Sequence, residues 1–470
     1  MRTISEVESE TKGTHLHLTK TDKKKLISVL SVLLLFSVLN GTMFIVSIPD
    51  ITLHFNLLPS HGSWIVTGYI IFFAIGAVLY GKLSDIYPIK TILLIGVSLF
   101  ALGSLLGFFS INYAMVIIAR MLQACGASAI PAVVLIIPTR YFPNERGRML
   151  SIFSTMMVIG SGIGPVMGGV IAGFLNWQYI FLFSSFSLFT LPLLKSLLPN
   201  EEKKDGRTDI PGAILIALGV GLFITFITTF NWYFFFLSAV ILGFFIWWIF
   251  HTEFPLILPS MFKNKLFRVA IIVSFLGMII MFSNMFITPL LLREVYGLTT
   301  ILIGLVMFPG ALFSALTARF AGIWTDRWGS ERVCFFALIL IFISAILLSS
   351  FISISPWFIS FAFIFAYIAF PFFQTAIASL ISCVLPENQI GIGMGIFNLF
   401  NFMSSAIGAA IIGKILDYST IGVSINPFVK ETGEVATYSN IFIGMGFLVV
   451  LNGLFFYLAT RKKYPKLSKH

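Results

Sequence analysis

The chemistry this sequence can do rests on a few polar side chains set in apolar runs. In "ARMLQACGAS" Arg120 stands beside Gln123. A cation near the middle of a hydrocarbon layer costs about 2.5 to 3.5 kcal/mol on insertion scales, so Arg120 should face a polar cavity or an internal partner. "VLNGTMFIVSIPDI" puts Asn40 and Thr42 in mid-run and Asp50 at its end. Asn40 can hydrogen-bond a substrate or a neighbouring helix without charge, while Asp50 can titrate at the mouth of a pathway. "SWIVTGYIIF" joins Trp64, by type an interfacial anchor, to Thr67 and Tyr69, which suit cavity lining and packing equally. Asn284 and the stripe Asn398, Asn401 and Ser405, at spacings of three and four, suit interhelical hydrogen bonds or cavity lining.

A second group acts through shape. "VIGSGIGPVMGG", residues 158 to 169, holds five glycines and a proline. Gly160, Gly164 and Gly168 recur every four residues and form a smooth ridge for a close helix neighbour, with Gly169 extending it. Pro165 removes a backbone donor and bends the helix. Ser161 is the one polar side chain of the stretch.

Several chemistries have no home here. There is no Walker-type glycine loop, no His/Cys metal constellation and no nucleophile elbow, so neither ATP hydrolysis, a bound metal, a cofactor nor covalent catalysis is expected. Cys125, Cys334 and Cys383 are isolated in apolar sequence and read as packing residues.

The elements that position these residues follow from composition. A 470-residue chain that is 58% hydrophobic and 10% charged, with 52 phenylalanines, cannot hide its apolar surface in a water-soluble core, so lipid is its solvent. Apolar runs predict helices 1 to 14 at 26–48, 62–80, 91–109, 113–138, 149–173, 177–197, 211–230, 232–250, 268–290, 298–321, 333–351, 357–384, 391–413 and 438–460. Most phenylalanines face lipid or pack, and those of helices 9 and 12 are candidates for an aromatic binding wall.

The net charge of +11 resolves into topology. With the N-terminus inside, 26 of the 30 Lys and Arg residues fall in cytoplasmic tails and loops; Arg293, Lys414 and Lys430 fall outside, and Arg120 lies within a span. This is the positive-inside pattern of a multi-pass cell-membrane protein with both termini cytoplasmic, and no nucleic-acid footprint. Residues 1–25 read as a cytoplasmic tail and not a signal peptide.

The chain also repeats itself. "GKLSDIYPIK" from Gly81 matches "GIWTDRWGSER" from Gly322, and "SIFSTMMVIGSGIG" from Ser151 matches "GIFNLFNFMSSAIG" from Gly395, at offsets of 241 and 244. Two segments with nearly one offset imply a parallel duplication. The expected organisation is an N-terminal six-helix bundle at 26–197, a linker with two extra spans at 198–267, a C-terminal six-helix bundle at 268–460 and a tail at 461–470. The paired hairpins read as gate elements: Gly81 allows close helix approach, Asp85 caps a helix end or pairs with a cation across the bundles, and Asp326 and Arg327 stand at the equivalent place.

Together these pieces resemble the major facilitator superfamily and, within it, the fourteen-helix drug:proton antiporters. More narrowly, "VLNGTMFIVSIPDI", "GKLSDIYPIK" and "IGSGIGP" are similar to the tetracycline efflux proteins of Gram-positive bacteria. The resemblance implies an all-α membrane fold of two six-helix bundles plus two inserted helices, with a cavity that opens alternately to each side. It implies an antiporter signature at Gly164, Pro165, Gly168 and Gly169, and gating and coupling roles for Asp85 and Arg120.

One departure stands out. The tetracycline exporters carry glutamates where this chain has Ser161 and Ser405, two positions made equivalent by the offset of 244. None of the 19 acidic residues falls in mid-span, since Asp50, Asp85, Glu294, Asp326 and Asp417 lie at ends or in loops. A serine cannot alternate between charged and neutral forms, so a peripheral acid such as Asp50 or Asp85 carries the proton, or coupling differs from the family's. An Arg120 without an acidic neighbour would favour an anionic or zwitterionic substrate. The resulting expectation is a monomeric, proton-coupled exporter of amphipathic drugs, tetracycline-like compounds included. The alternatives are a dedicated carrier for an endogenous metabolite, peptide or lipid-like product, and a non-transporting sensor built on the same fold.

Overall fold

The structure, a computed structural model, describes residues 20–142, 145–203, 209–253, 255–418, 423–429 and 431–460. Fourteen helices are long and apolar enough to cross a membrane, and no strand occurs among the described residues. They are α1 (Lys20–His54), α2 (Pro59–Ile86), α3 (Ile89–Phe108), α4 (from Tyr113), α5 (Arg146–Phe174), α6 (from Gln178), α7 (Ile210–Thr229) and α8 (Trp232–His251). After a short 3-10 turn follow α9 (Lys265–Glu294), α10 (Thr300–Trp328), α11 (Ser330–Ser350), α12 (Pro356–Val384), α13 (Glu387–Asp417) and α14 (Glu434–Thr460).

Two helices are broken where a continuous span is expected, and proline explains both. A proline ring clashes with the carbonyl four residues before it and offers no N–H. In α4 the first piece, Tyr113–Ala127, ends four residues before Pro131, and the second, Ala129–Val134, ends four residues before Pro138; Ile137–Tyr141 follows. In α6, Gln178–Ser185 passes through a 3-10 turn, Phe186–Thr190, into Leu191–Leu197, with Pro192 just beyond the turn.

Other helices outrun their apolar cores, because backbone hydrogen bonding does not stop where hydrophobicity does. α1 continues to His54, so Asp50 lies on the helix. α10 continues to Trp328, which places Asp326 and Arg327 on helix and leaves Arg319 nine residues short of its end.

The helices associate as two sixes. Within the first, α1 packs along α5, and α4 packs on α2 and α3. Within the second, α9 packs along α13, and α12 lies against α10 and α11. The halves meet along two seams, α5 against α10 and α2 against α13. The hairpin α7–α8 stands beside the second seam, with α7 touching both α2 and α13.

The internal repeat is visible in these packings. A methyl on Gly164 of α5 would run into the Thr42 side chain of α1. A methyl on Gly408 of α13 would lie 2.7 Å from the Ile279 carbonyl oxygen and 2.8 Å from Ser283 Oγ of α9. Thr42 and Ser283 are themselves 241 residues apart. Small residues let these helix pairs approach to backbone contact, which is how helices gain dispersion energy without a hydrophobic drive.

Candidate functional site

Arg120 is 1% exposed and is held entirely by α1, α2, α3 and α4. Its Nε donates to the Ile65 carbonyl at 3.0 Å, and Nη1 donates to Asn40 Oδ1 at 2.7 Å and Gln123 Oε1 at 3.0 Å. The rings of Phe44 and Tyr69 flank the guanidinium at 4.1 and 4.0 Å. A second layer fixes the amides: Asn40 Nδ2 donates to Ser184 Oγ at 2.8 Å, and Gln123 Nε2 donates to Ser104 Oγ at 2.8 Å. Among the described residues no carboxylate pairs with this cation. Carbonyl dipoles and ring quadrupoles take the place of a counter-ion.

Arg120 thus has the internal partner its depth demands, and it presents no surface to a substrate in this conformation. Asn40, Gln123, Thr67 and Tyr69 share its burial, so none of them lines an open cleft here. Thr67 instead crosses the α2/α13 seam, donating to the Ala406 carbonyl at 3.2 Å. Thr42 bonds the carbonyl of Val38 on its own helix at 3.2 Å. Trp64, half-buried near the start of α2, directs Nε1 toward Thr228 Oγ1 of α7 at 3.4 Å.

The C-terminal half is also tied internally. Asn401 accepts from Ser274 Oγ at 2.6 Å and donates to Gln374 Oε1 at 3.1 Å, while Asn284 serves Thr288 and Ser405 bonds the Phe402 carbonyl. Of the expected stripe only Asn398 is exposed. Gln374 and Ser274 had no signal in sequence beyond being polar in an apolar run.

Ser161 differs from its repeat partner, being exposed where Ser405 is buried. A helix turns about 100° per residue. Gly160, Gly164 and Gly168 face α1, while Gly162, Gly169 and Gly173 face α10. Exposed Ile163 and Val170 point into one of the two intervening sectors and Ser161 into the other, the one between the bundles. Gly169 therefore does not extend the α1 ridge; it packs on α10, where a methyl would sit 2.7 Å from the Thr300 carbonyl oxygen. Pro165 is buried on the same side, its carbonyl against Gly304 of α10.

The bundles are joined at one end. Asp50 of α1 is ion-paired with Arg293 of α9 and accepts a hydrogen bond from Thr300 Oγ1 of α10. Asp417 of α13 accepts from the Ser60 backbone N–H of α2 at 3.0 Å. A recess of about 660 Å³, lined by Asp50, His54, Trp177, Gln178, Arg293 and Thr300 among others, opens beside the first of these contacts. At the other end the described residues show no such tie between the bundles. A methyl added at Gly81 or Gly322 would meet nothing within 4 Å, and Asp326 and Arg327 are exposed. The Asp85 side chain lies outside the described residues. Lys82 donates to the Pro255 carbonyl at 2.9 Å, tying the first hairpin to the linker after α8. Cys334 is buried as a packing residue should be, whereas Cys383 is exposed.

Two six-helix bundles that meet along two seams and are tied together at one end by Asp50–Arg293 and Asp417–Ser60 suit a rocking carrier. The sequence matches the family model described as Major Facilitator Superfamily over residues 30–409. The chain belongs to that superfamily. Its members' names extend the comparison. The MFS-type transporter YvkA of Bacillus subtilis (strain 168) is 27% identical over 401 residues, 82% of this chain and 88% of that one. The methylenomycin A resistance protein of the same organism is 28% identical over 350 residues, 70% of this chain and 74% of that one. Among solved structures, a bacterial homologue of the human lysosomal transporter Spinster, in an inward-facing and unoccupied conformation, superposes with a TM-score of 0.66 at 13% identity, covering 94% of this chain and 98% of that one. This superfamily member is a multi-pass membrane transporter.

Proposed function

We propose that this protein exports amphipathic small molecules by alternating access, tetracycline-like compounds among them, with Asp50 as the proton-responsive acid. The charge asymmetry assigns the Asp50 end to the outside and the Gly81 end to the cytoplasm, with both termini inside a cell membrane. The structure then corresponds to the inward-facing state. Asp50–Arg293 carries the reading: among the described residues it is the one ion pair that joins the bundles. Protonating Asp50 removes the pair and so favours opening outward; for antiport the same proton has then to travel inward as the carrier returns. Gly81 and Gly322 supply the smooth surfaces on which the inner ends close in the opposite state, with Asp85, Asp326 and Arg327 beside them. Arg120, locked among amides and rings, holds the N-terminal bundle rigid as it rocks.

A second reading draws on the same residue. The recess beside Asp50 faces outside in this state, so a proton that arrives and leaves there sets the gate without crossing the membrane. With serines at 161 and 405 no mid-membrane acid relays it inward. The protein would then be a dedicated carrier of an endogenous metabolite, peptide or lipid-like product, driven by that product's own gradient.

Transport in proteoliposomes under an imposed pH gradient separates the two. The first reading expects gradient-driven flux of drug-like cations and zwitterions, abolished in Asp50→Asn. If an acid exterior speeds exchange but no pH gradient drives accumulation, the second stands. Drug tolerance unchanged by deletion and by overexpression would demote the drug-export reading.

A further inference from the structure

The cation that sequence offers to an anionic substrate, Arg120, is enclosed, but Arg293 is not. Its side chain is 23% exposed and lines the recess of about 660 Å³ beside the contact between the bundles. Pockets of about 300 to 1,000 Å³ hold small organic ligands. Arg293 commits one nitrogen to the tie, Nη2, which serves both Asp50 Oδ1 and Thr300 Oγ1. Its Nε is buried with no acceptor among the described residues.

A second donor of the same recess stands unpaired. Trp177 is 4% exposed, and its Nε1 has no acceptor among the described residues. An N–H left unpaired away from water is unfavourable, and an acceptor that reaches it removes that penalty. The acceptors already present are engaged. Among the described lining residues Asp50 is the one carboxylate, and its two oxygens are taken by Arg293 and Thr300. Asn176 and Gln178 add amides, Leu53 and Leu175 add an apolar edge, and the His54 ring stands edge-on to Trp177 at 5.7 Å. What this surface lacks is a ligand oxygen, and a carboxylate brings two in the geometry that a guanidinium pairs best.

The tie on the other seam offers no such exchange. Asp417 there accepts the backbone N–H of Ser60, and its neighbour Lys414, at 3.5 Å, lies on the same helix. An anion drawn to Lys414 takes nothing from the Ser60 contact.

We propose that the recess binds a small organic monocarboxylate, which takes Arg293 over from Asp50, gains Trp177 Nε1 as a further donor, and so loosens the tie between the bundles. Ligand and Asp50 compete for one guanidinium. Coupling of this kind is reciprocal, so removing Asp50 as a competitor strengthens the ligand. The inference rests on reading Asp50–Arg293 as the tie that holds this end shut, and on neither proton coupling nor drug export.

The test is equilibrium dialysis of radiolabelled phenylacetate against the purified full-length protein in a neutral detergent at neutral pH, with phenylacetamide as the uncharged control. Wild type should bind the acid and not the amide. Arg293→Gln should weaken the acid about ten-fold or more, the scale of a lost hydrogen bond to a charged group, and Arg293→Lys should keep part of the binding as a point charge. Asp50→Asn should tighten it about three- to five-fold, the scale of a partly exposed ion pair, while Asp50→Glu, which keeps the competitor, should match wild type. Trp177→Phe, which keeps a ring and removes the N–H, should weaken it about five-fold. Opposite signs for Arg293→Gln and Asp50→Asn cannot come from loss of the pair as structure, since both variants break it. Equal loss in the two, amide bound as tightly as acid, or binding indifferent to Arg293→Gln overturns the site. No flux or gradient enters the measurement. Absence of pH-driven transport would therefore count against the exporter reading and leave this result untouched, and failure of binding would leave that reading standing.

Discussion

Gly169 and Gly413, 244 residues apart, occupy the same place on the two halves of the molecule. A methyl on Gly169 of α5 would lie 2.7 Å from the Thr300 carbonyl oxygen at the start of α10; a methyl on Gly413 of α13 would lie 2.9 Å from the Pro59 carbonyl oxygen and the Ser60 Cα at the start of α2. Each seam is thus sealed at this end by one bundle's glycine on the other bundle's helix start, beside a carboxylate, Asp50 or Asp417.

Because the obstructing atoms are backbone, Gly169→Ala and Gly413→Ala cannot be accommodated by a rotamer change. Overpacking of this kind costs about 1 to 3 kcal/mol, and only in the closed-outside state. A coupling of that size is about a 5- to 150-fold change in equilibrium. The measurement is labelling of Ser63→Cys, buried on α2, by an impermeant thiol reagent in a background lacking Cys125, Cys334 and Cys383. The alanine variants should label faster than the parent; equal rates would mean that the glycines do not govern closure.

Asp50→Asn should have the same direction with a smaller size, since the Asp50–Arg293 pair is about one quarter exposed and such pairs are worth about 1 kcal/mol or less. In the wild type, labelling from outside should rise as external pH falls, because protonation removes the pair. The variant should be fast and flat with pH, and Asp50→Glu should keep the dependence. A wild type insensitive to external pH would remove Asp50 from coupling.

Arg120→Ala leaves Asn40 Oδ1, Gln123 Oε1 and the Ile65 carbonyl without their donor. Hydrogen bonds to a charged group contribute about 1.5 to 3 kcal/mol each, so the thermal midpoint in detergent should fall sharply. Asn40→Asp should do the reverse and raise it, by giving the buried guanidinium a carboxylate; Ser184 Oγ, which now accepts from Asn40 Nδ2, can rotate its proton to donate. A lower midpoint for Asn40→Asp would show that the site is built to stay neutral around its cation.

At the start of α5, the hydrogen bond from Lys23 holds the Glu145 carboxyl below its usual range, outweighing desolvation, with the Lys23 and Arg148 charges adding to the effect. A depressed folded value means that the contribution to stability is present above the ordinary carboxylate range and lost as pH falls through the lowered value. Lys23→Ala should therefore be less stable than wild type at neutral pH, and the two midpoints should converge in acid and in high salt. A difference that persists in acid would mean that the lysine acts through packing.

Sequence alone determined the class of fold here because each of its signals is local or periodic. An apolar run reports a span, charge in a loop reports a side, and a repeated hairpin reports a duplication. It also showed that Arg120 required a partner, since the cost of a buried cation does not depend on what surrounds it. Which partner was decided by packing: Asn40 is 80 residues away, and no spacing rule links the two. Asp50 and Arg293 are 243 residues apart, and each alone looks like an ordinary charge at a helix end. Most of the polar residues that composition offers as cavity lining turn out to satisfy each other inside a bundle. A polar group in an apolar run must bond to something, and sequence does not distinguish a neighbouring helix from a substrate. The unequal seams are further still from any local signal. They depend on where an inserted hairpin comes to rest against two halves that the sequence presents as equivalent, and that is settled by tertiary contact alone.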